Sequence, residues 1–313
     1  MRILFLTENR QDATSFYRGA GIVNDLSRKS KSVIDVCNWD EIKPDWSFFT
    51  LYDLVYMQRP LTRTAVDTAV YLKMMGKRIW IDWDDDYLNI PIYHFYVLQL
   101  QSYHENIIAL AKMADIITVT TKALYDVYSE LNKNIRIIPN AIPLSLFKKV
   151  NYENSGGVFW RGSHLHFPNV MDYATELQQI INSGIKIKFM GLNPFFLNSY
   201  VMLPEMEMYN YLDHYKKISP KFTFVVLIDN KFNRGRSNIA WIEATMAGTV
   251  CLAPDWEEWK HPGIINYSSR EDFISKFIQM NEVDLNYQYE MSFHYISENL
   301  ILEKVNKLRV ELL

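Results

Sequence analysis

Residues 233–248, NRGRSNIAWIEATMAG, place two arginines and a glycine just ahead of an apolar segment that holds a single carboxylate. Arg234 and Arg236 flank Gly235. Ser237 is suited to the N-cap, where its hydroxyl accepts from a free backbone N–H of the first turn. Ile239, Ile242 and Met246 recur at helical spacing and predict a helix over 238–247, including Asn238 and ended by Gly248. Unpaired amides and the positive end of the dipole make such an N-terminus favourable for anions. Arginine grips phosphate oxygens two at a time, and Gly235 lets the backbone come close. Glu243 falls in the second turn, where a carboxylate can accept from both hydroxyls of a ribose. The chemistry predicted is the holding of a nucleoside diphosphate. The plainer alternative is a solvated basic loop before an ordinary helix, with Glu243 at the surface.

A second constellation is acidic. WIDWDDDYLNIP carries Asp82, Asp84, Asp85 and Asp86, and alternation with Ile79 and Ile81 puts Asp82 near the end of a strand. Acids this close repel unless compensated. Three readings stand side by side: a hard-cation site, since Asp-x-Asp binds Mg²⁺ or Mn²⁺; a general base for an acceptor hydroxyl; and structural pairing with Arg18, Arg59 or Arg63. Tyr17 and Arg18 lie in TENRQDATSFYRGAG, with Gly19 and Gly21 giving the helix there a small surface. Arg161, Gly162 and Ser163 close another strand, with His164 and His166 just beyond, and His94 lies in a separate loop. No Ser-His-Asp set and no zinc-type Cys/His spacing is evident.

The elements that must position these residues repeat as strand then helix. RILFLT, SVIDVCNW, DLVYMQ, KRIWIDWD, DIITVTT and IRIIPNAI read as strands with helical stretches between them. PLSLFKKVNYENSGG, residues 143–157, interrupts the pattern as a linker. Alternation resumes with GVFWRGS, IKIKFMG, KFTFVVLI and TVCLAP, and YEMSFHYISENLILEKVNKLRVELL reads as one long helix. This is α/β architecture in two Rossmann-like units with parallel sheets. With 313 residues, 49% of them hydrophobic, the chain can bury two cores. A net charge of -3 gives no bulk sign of a nucleic-acid binder. Cys37 and Cys251 read as buried thiols rather than a disulfide framework. The N-terminal apolar run is short for a signal peptide, and no run reaches the ~20 residues of a membrane span. A cytoplasmic protein is expected.

FNRGRSNIAWIEATMAGTVCLAP resembles the donor-binding segment of GT-B glycosyltransferases, in particular the retaining group called family 4. Phe232, Asn233, Arg236, Ser237, Asn238 and Ile239 match the loop pattern Phe-Asn-x-x-Lys/Arg-Ser-Asn-Ile. ADIITVTT, IIPNAI and WRGSHLHFPN agree with other segments of that family. The resemblance implies the GT-B fold, with an acceptor domain at 1–148, a donor domain at 149–285, and a C-terminal helix at 286–313 packing back on the first domain. It implies a nucleotide-sugar co-substrate, with a UDP-sugar expected, and no essential metal. Donor contacts are expected from Arg161, Gly162, Ser163, Arg234, Gly235, Ser237, Asn238 and Glu243. Tyr17, Arg18, Asp85 and His94 are expected on the acceptor side, and Asp82, Asp84 and Arg236 in catalysis. Many relatives carry a second Glu eight residues before the ribose Glu, where this chain has Gly235. The acceptor is left open, with duplex DNA among the candidates because phage GT-B enzymes glycosylate hydroxymethylated cytosine. A catalytically silent nucleotide-sugar-binding module is the other alternative.

Overall fold

The computed structural model describes residues 1–42, 46–152 and 157–313. Six strands form the first sheet: β1 (Arg2–Thr7), β2 (Val33–Asn38), β3 (Leu54–Gln58), β4 (Arg78–Trp83), β5 (Ile116–Val119) and β6 (Ile135–Ile137). They pair in parallel in the order β2-β1-β3-β4-β5-β6. The second sheet comprises β7 (Val158–Arg161), β8 (Ile187–Met190), β9 (Val201–Leu203), β10 (Phe222–Phe224), β11 (Val250–Pro254) and β12 (Ile265–Tyr267). Its order, β12-β11-β10-β7-β8-β9, is also all parallel. Strands buried on both faces explain the continuous apolar runs: β3 and β11 have no exposed residue. β9 and β12 have three residues each and were not apparent in the sequence.

The second sheet reverses direction of growth between β7 and β10, and the first between β1 and β3. At such switch points a crevice opens beyond the carboxyl ends of the strands. Both crevices open into one cleft. Its walls are residues following β1, β3, β4 and β6 on one side and β7, β8 and β10 on the other.

Two expected helices are broken. The stretch after β1 forms Ala13–Arg18 and Ala20–Ser30, interrupted at Gly19. A Cβ on Gly19 would lie 2.3 Å from Gln58 Oε1, and one on Gly21 2.1 Å from the Phe16 carbonyl oxygen, so this tight kink requires both glycines. The tail is two helices, Asn286–Asn299 and Leu302–Val310. Leu300 and Ile301 divide them because the chain there bonds to Ile142: the Ile142 amide donates to Leu300 O, and the Leu302 amide to Ile142 O. Tyr289 and Ile296 are buried in the cores of the second half. Leu302 and Val305 pack with Ile22 and Leu26 of the first. Of the expected linker, 143–152 is packed, with Phe147 buried and stacked on Phe293 at 4.9 Å; Glu153 to Gly156 lie outside the described residues. Cys251 is buried but Cys37 is only partly so, because β2 is an edge strand. Among the described residues, no helix is long and apolar enough to cross a membrane.

Candidate functional site

The cleft encloses about 540 Å³, within the range of small-molecule sites, roughly 300–1,000 Å³. Arg161, Gly162, Ser163 and His166 line it beyond β7, and Arg236, Ser237, Ile239, Ala240 and Glu243 line it from the segment after β10. The helix there runs Ile239–Met246. Its N-cap is Asn238, not Ser237, and no side chain of the cap closes the first turn. Ser237 Oγ instead accepts from Asn140 Nδ2 of the first half, at 2.9 Å. The amides of Ile239 and Ala240, in the first turn, have no partner within the helix and border the cleft.

Glu243 is buried at 2% exposure, not at the surface. Tyr17 donates to its Oε1 at 2.8 Å and Tyr211 to its Oε2 at 2.7 Å. Arg161 Nη2 lies 2.5 Å from Oε2 as an ion pair, off the line of a hydrogen bond. Burial first, and then the Glu243 charge, push the Tyr17 and Tyr211 hydroxyls well above their usual range, so both stay protonated donors. Tyr17 reaches Glu243 from the other half of the molecule, carried by the short helix before the Gly19 kink.

Among the described residues, four buried donor atoms on the cleft wall lack a hydrogen-bond acceptor: Arg161 Nε and Nη2, Arg236 Nε and Trp259 Nε1. Donors left unmet in the interior are costly, and here they converge beside a helix mouth. An anion with several oxygens would satisfy them together. His166, in the same wall, is held neutral: burial, then Arg236 and Arg161, depress its proton affinity well below the usual 6.5.

Several expected site residues sit elsewhere. Asp82 is sealed at 1% exposure and does not border the cleft. Arg18 Nε and Nη2 donate to its two oxygens at 2.9 and 2.5 Å, and Thr118 Oγ1 donates at 2.5 Å. A carboxylate so enclosed has no face for an acceptor hydroxyl. Arg18 touches the cleft but is committed to Asp82 and to the Ile138 carbonyl. Asp84 borders the cleft and is held by both arms of Arg59 at 2.6 and 2.8 Å; that contact outweighs burial and lowers its proton affinity. Asp85 faces Arg236 across the cleft at 3.3 Å, with its proton affinity raised by burial. Arginines thus compensate Asp82, Asp84 and Asp85. Among the described residues, no group of three or more His, Cys, Asp or Glu is arranged to hold a metal ion.

Arg234 turns away from the cleft, onto Asp229 at 2.6 and 2.8 Å and over the Trp256 ring. Gly235 does not border the cleft either. Its Cβ would lie 2.9 Å from Leu124 Cδ2, and its carbonyl accepts from Thr121. A glycine here lets the two halves close on each other. Asn238 is also off the cleft wall, its amide donating to Glu258 Oε1 at 3.2 Å. His94 is buried edge-on to Phe232, with Nδ1 accepting from the Tyr96 amide. Asn140, Arg59, Tyr211 and Trp259 join the cleft without having been singled out for it. Asn140 stands in the IIPNAI segment, while Tyr211 arrives on Met208–Ile218 with no local signal.

Glu258 carries a pH effect. Burial raises its proton affinity from 4.5 to about 8, despite the Asn238 amide. A carboxyl with a raised folded-state pKa stabilises the fold fully below its unfolded pKa and loses that contribution as pH passes the folded one. The melting temperature should therefore fall between about pH 5 and pH 9, and Glu258→Gln should flatten that fall. Equal slopes in the two proteins would show that Glu258 is not the titrating group.

Two parallel sheets of this kind, facing across one cleft, make up the GT-B fold, and this chain has it. HepE from Anabaena, solved in complex with UDP, superposes with a TM-score of 0.67 at 12% identity over 100% of this chain and 99% of that one. The catalytic domain of Starch Synthase IV from Arabidopsis thaliana, bound to ADP and acarbose, gives 0.65 at 7% identity, covering 99% and 98%. UDP-GlcNAc 2-epimerase from Neisseria meningitidis, bound to UDP-GlcNAc, gives 0.58 at 11% identity, covering 100% and 99%. No family model matches the chain, and no curated protein matches it in sequence.

Proposed function

We propose that the chain is a glycosyltransferase that takes its sugar from a nucleoside-diphosphate sugar, most simply a UDP-sugar. The convergence of Arg161, Arg236 and the free amides of Ile239 and Ala240 on one side of the cleft carries this reading. Negative charge grows on the diphosphate as the glycosidic bond breaks, and preorganised donors aimed at it lower the barrier. Glu243 lies one to two helical turns further in, where a ribose attached to that diphosphate would reach it. The solved complexes of HepE with UDP and of Starch Synthase IV with ADP support a nucleotide as the ligand of this fold.

The acceptor side is bordered by Gln11, Asp12, Thr14, Arg59, Asp84 and Asp85. Asp85 stands beside Arg236 and has a raised proton affinity, which suits it to take the acceptor proton. Asp84 and Asp85 are paired with Arg59 and Arg236, so this wall carries both signs of charge and suits a hydroxyl-bearing acceptor. Melting curves recorded with UDP-glucose, UDP-galactose, UDP-N-acetylglucosamine and ADP-glucose test the donor class, because a ligand of the native state raises the midpoint by mass action. A shift with at least one, followed by sugar transfer to an added hydroxyl compound, is the expected result. Conversion of UDP-N-acetylglucosamine to its C2 epimer without an acceptor would favour epimerase chemistry on the same fold.

A further inference from the structure

We infer that Asn140 is a specificity residue for the transferred sugar, its Oδ1 accepting a hydrogen bond from a hydroxyl or N–H of that sugar. The inference rests on the donor reading above.

Among the described residues, five buried polar atoms on the cleft wall have no hydrogen-bond partner, and four of them are donors: Arg161 Nε and Nη2, Arg236 Nε and Trp259 Nε1. All four can meet phosphate oxygens. Asn140 Oδ1 is the fifth, and it is an acceptor at a residue only 5% exposed. Phosphate at neutral pH offers it nothing, since acceptor faces acceptor. The group that satisfies Oδ1 must carry an O–H or N–H. The sugar hydroxyls, or an acetamido N–H, are the donors bonded nearest to a diphosphate.

The position of Asn140 agrees. Its Nδ2 donates to Ser237 Oγ at 2.9 Å, which ties the amide to the segment that opens the helix mouth. The residue follows β6 and belongs to the first half of the chain, whereas the unmet donors belong to the second. A diphosphate on the second half would thus present its sugar to Asn140 across the cleft. A sugar lacking the matching donor group leaves Oδ1 unpaired, and sites that read a hydroxyl by hydrogen bonding discriminate strongly for that reason.

Calorimetric titration of the wild type and Asn140→Leu, which keeps the branched outline without the polar atoms, with UDP and with UDP-glucose, UDP-galactose and UDP-N-acetylglucosamine tests this. Asn140→Ser serves as a second variant, and circular dichroism checks the fold of both. UDP should bind all three proteins alike. For whichever sugar nucleotide binds the wild type, the ratio of its dissociation constant to that of UDP should rise about 5- to 100-fold in the variants. Removal of one hydroxyl from that sugar should cost the wild type a similar factor and the Leu variant nothing, the coupling expected of two groups in contact. Equal losses for UDP and the sugar nucleotide would mean that Asn140 acts through Ser237 on the phosphates, and would overturn the inference. So would UDP binding without any of the three sugar nucleotides, or a deoxy effect that persists in Asn140→Leu. If UDP itself fails to bind the wild type, the donor reading fails first, and the inference with it.

Discussion

Glu243→Gln is expected to weaken UDP binding by about 10- to 150-fold, the value of hydrogen bonds to a charged group of ~1.5–3 kcal/mol. The substitution keeps the shape of the side chain and removes its charge. A ribose diol donates two hydrogen bonds, and a carboxylate accepts both where an amide offers one oxygen. Glu243 has about four acceptor positions. Tyr17 and Tyr211 hold two of these directions, and Arg161 sits against Oε2 as an ion pair off the hydrogen-bond line. The two directions left are the ones a ribose diol would use. Glu243→Ala should do more, because it also leaves the half-buried Arg161 without its counter-charge and so lowers stability. Isothermal titration and thermal melts separate the two effects. Wild-type UDP affinity in a folded Glu243→Gln protein would remove the ribose assignment.

Asp82→Ala should unfold the protein readily, with a loss of ~3–5 kcal/mol, because it strands a guanidinium in the core. Arg18 is 1% exposed and bonded to both Asp82 oxygens. Arg309, from the tail helix, is buried beside the same pair; burial, then Arg18, lowers its proton affinity to about 10. Asp82 is the counter-charge at the junction of β1's following helix, β4 and the tail. Denaturant melts of Asp82→Ala, with Asp84→Ala for comparison, give the measurement. A stable, folded Asp82→Ala protein that has lost only activity would return Asp82 to the chemistry proposed for it from sequence.

Much of this is legible in the sequence. Strand–helix alternation, with apolar runs such as LVYMQ and TVCLAP, specifies buried parallel strands, and two such series give the two sheets. Arg161, Ser163, Arg236, Ser237 and Glu243 were singled out and line the cleft together, because strand ends and helix starts lie where chemistry gathers in this architecture. Local pattern could not show which face a charged side chain turns. Arg234 and Arg236 are two residues apart, but Arg234 pairs with Asp229 and Arg236 reaches the cleft. Nor could it show long-range partners. Asp82 looks catalytic at a strand end until Arg18, 64 residues away, closes over it. Gly235 looked like a phosphate-loop glycine, and its neighbour is Leu124 of the first half. Tyr211 gives no local sign, since its role comes only from where Met208–Ile218 docks.

The central claim is that a diphosphate sits at the mouth of the Ile239–Met246 helix. A crystal structure with UDP tests it most directly. The account predicts phosphate oxygens within hydrogen-bond reach of the Ile239 and Ala240 amides, Arg161 and Arg236, with the ribose turned towards Glu243. UDP bound away from that mouth, or Arg161 and Arg236 both facing away from its phosphates, would contradict it.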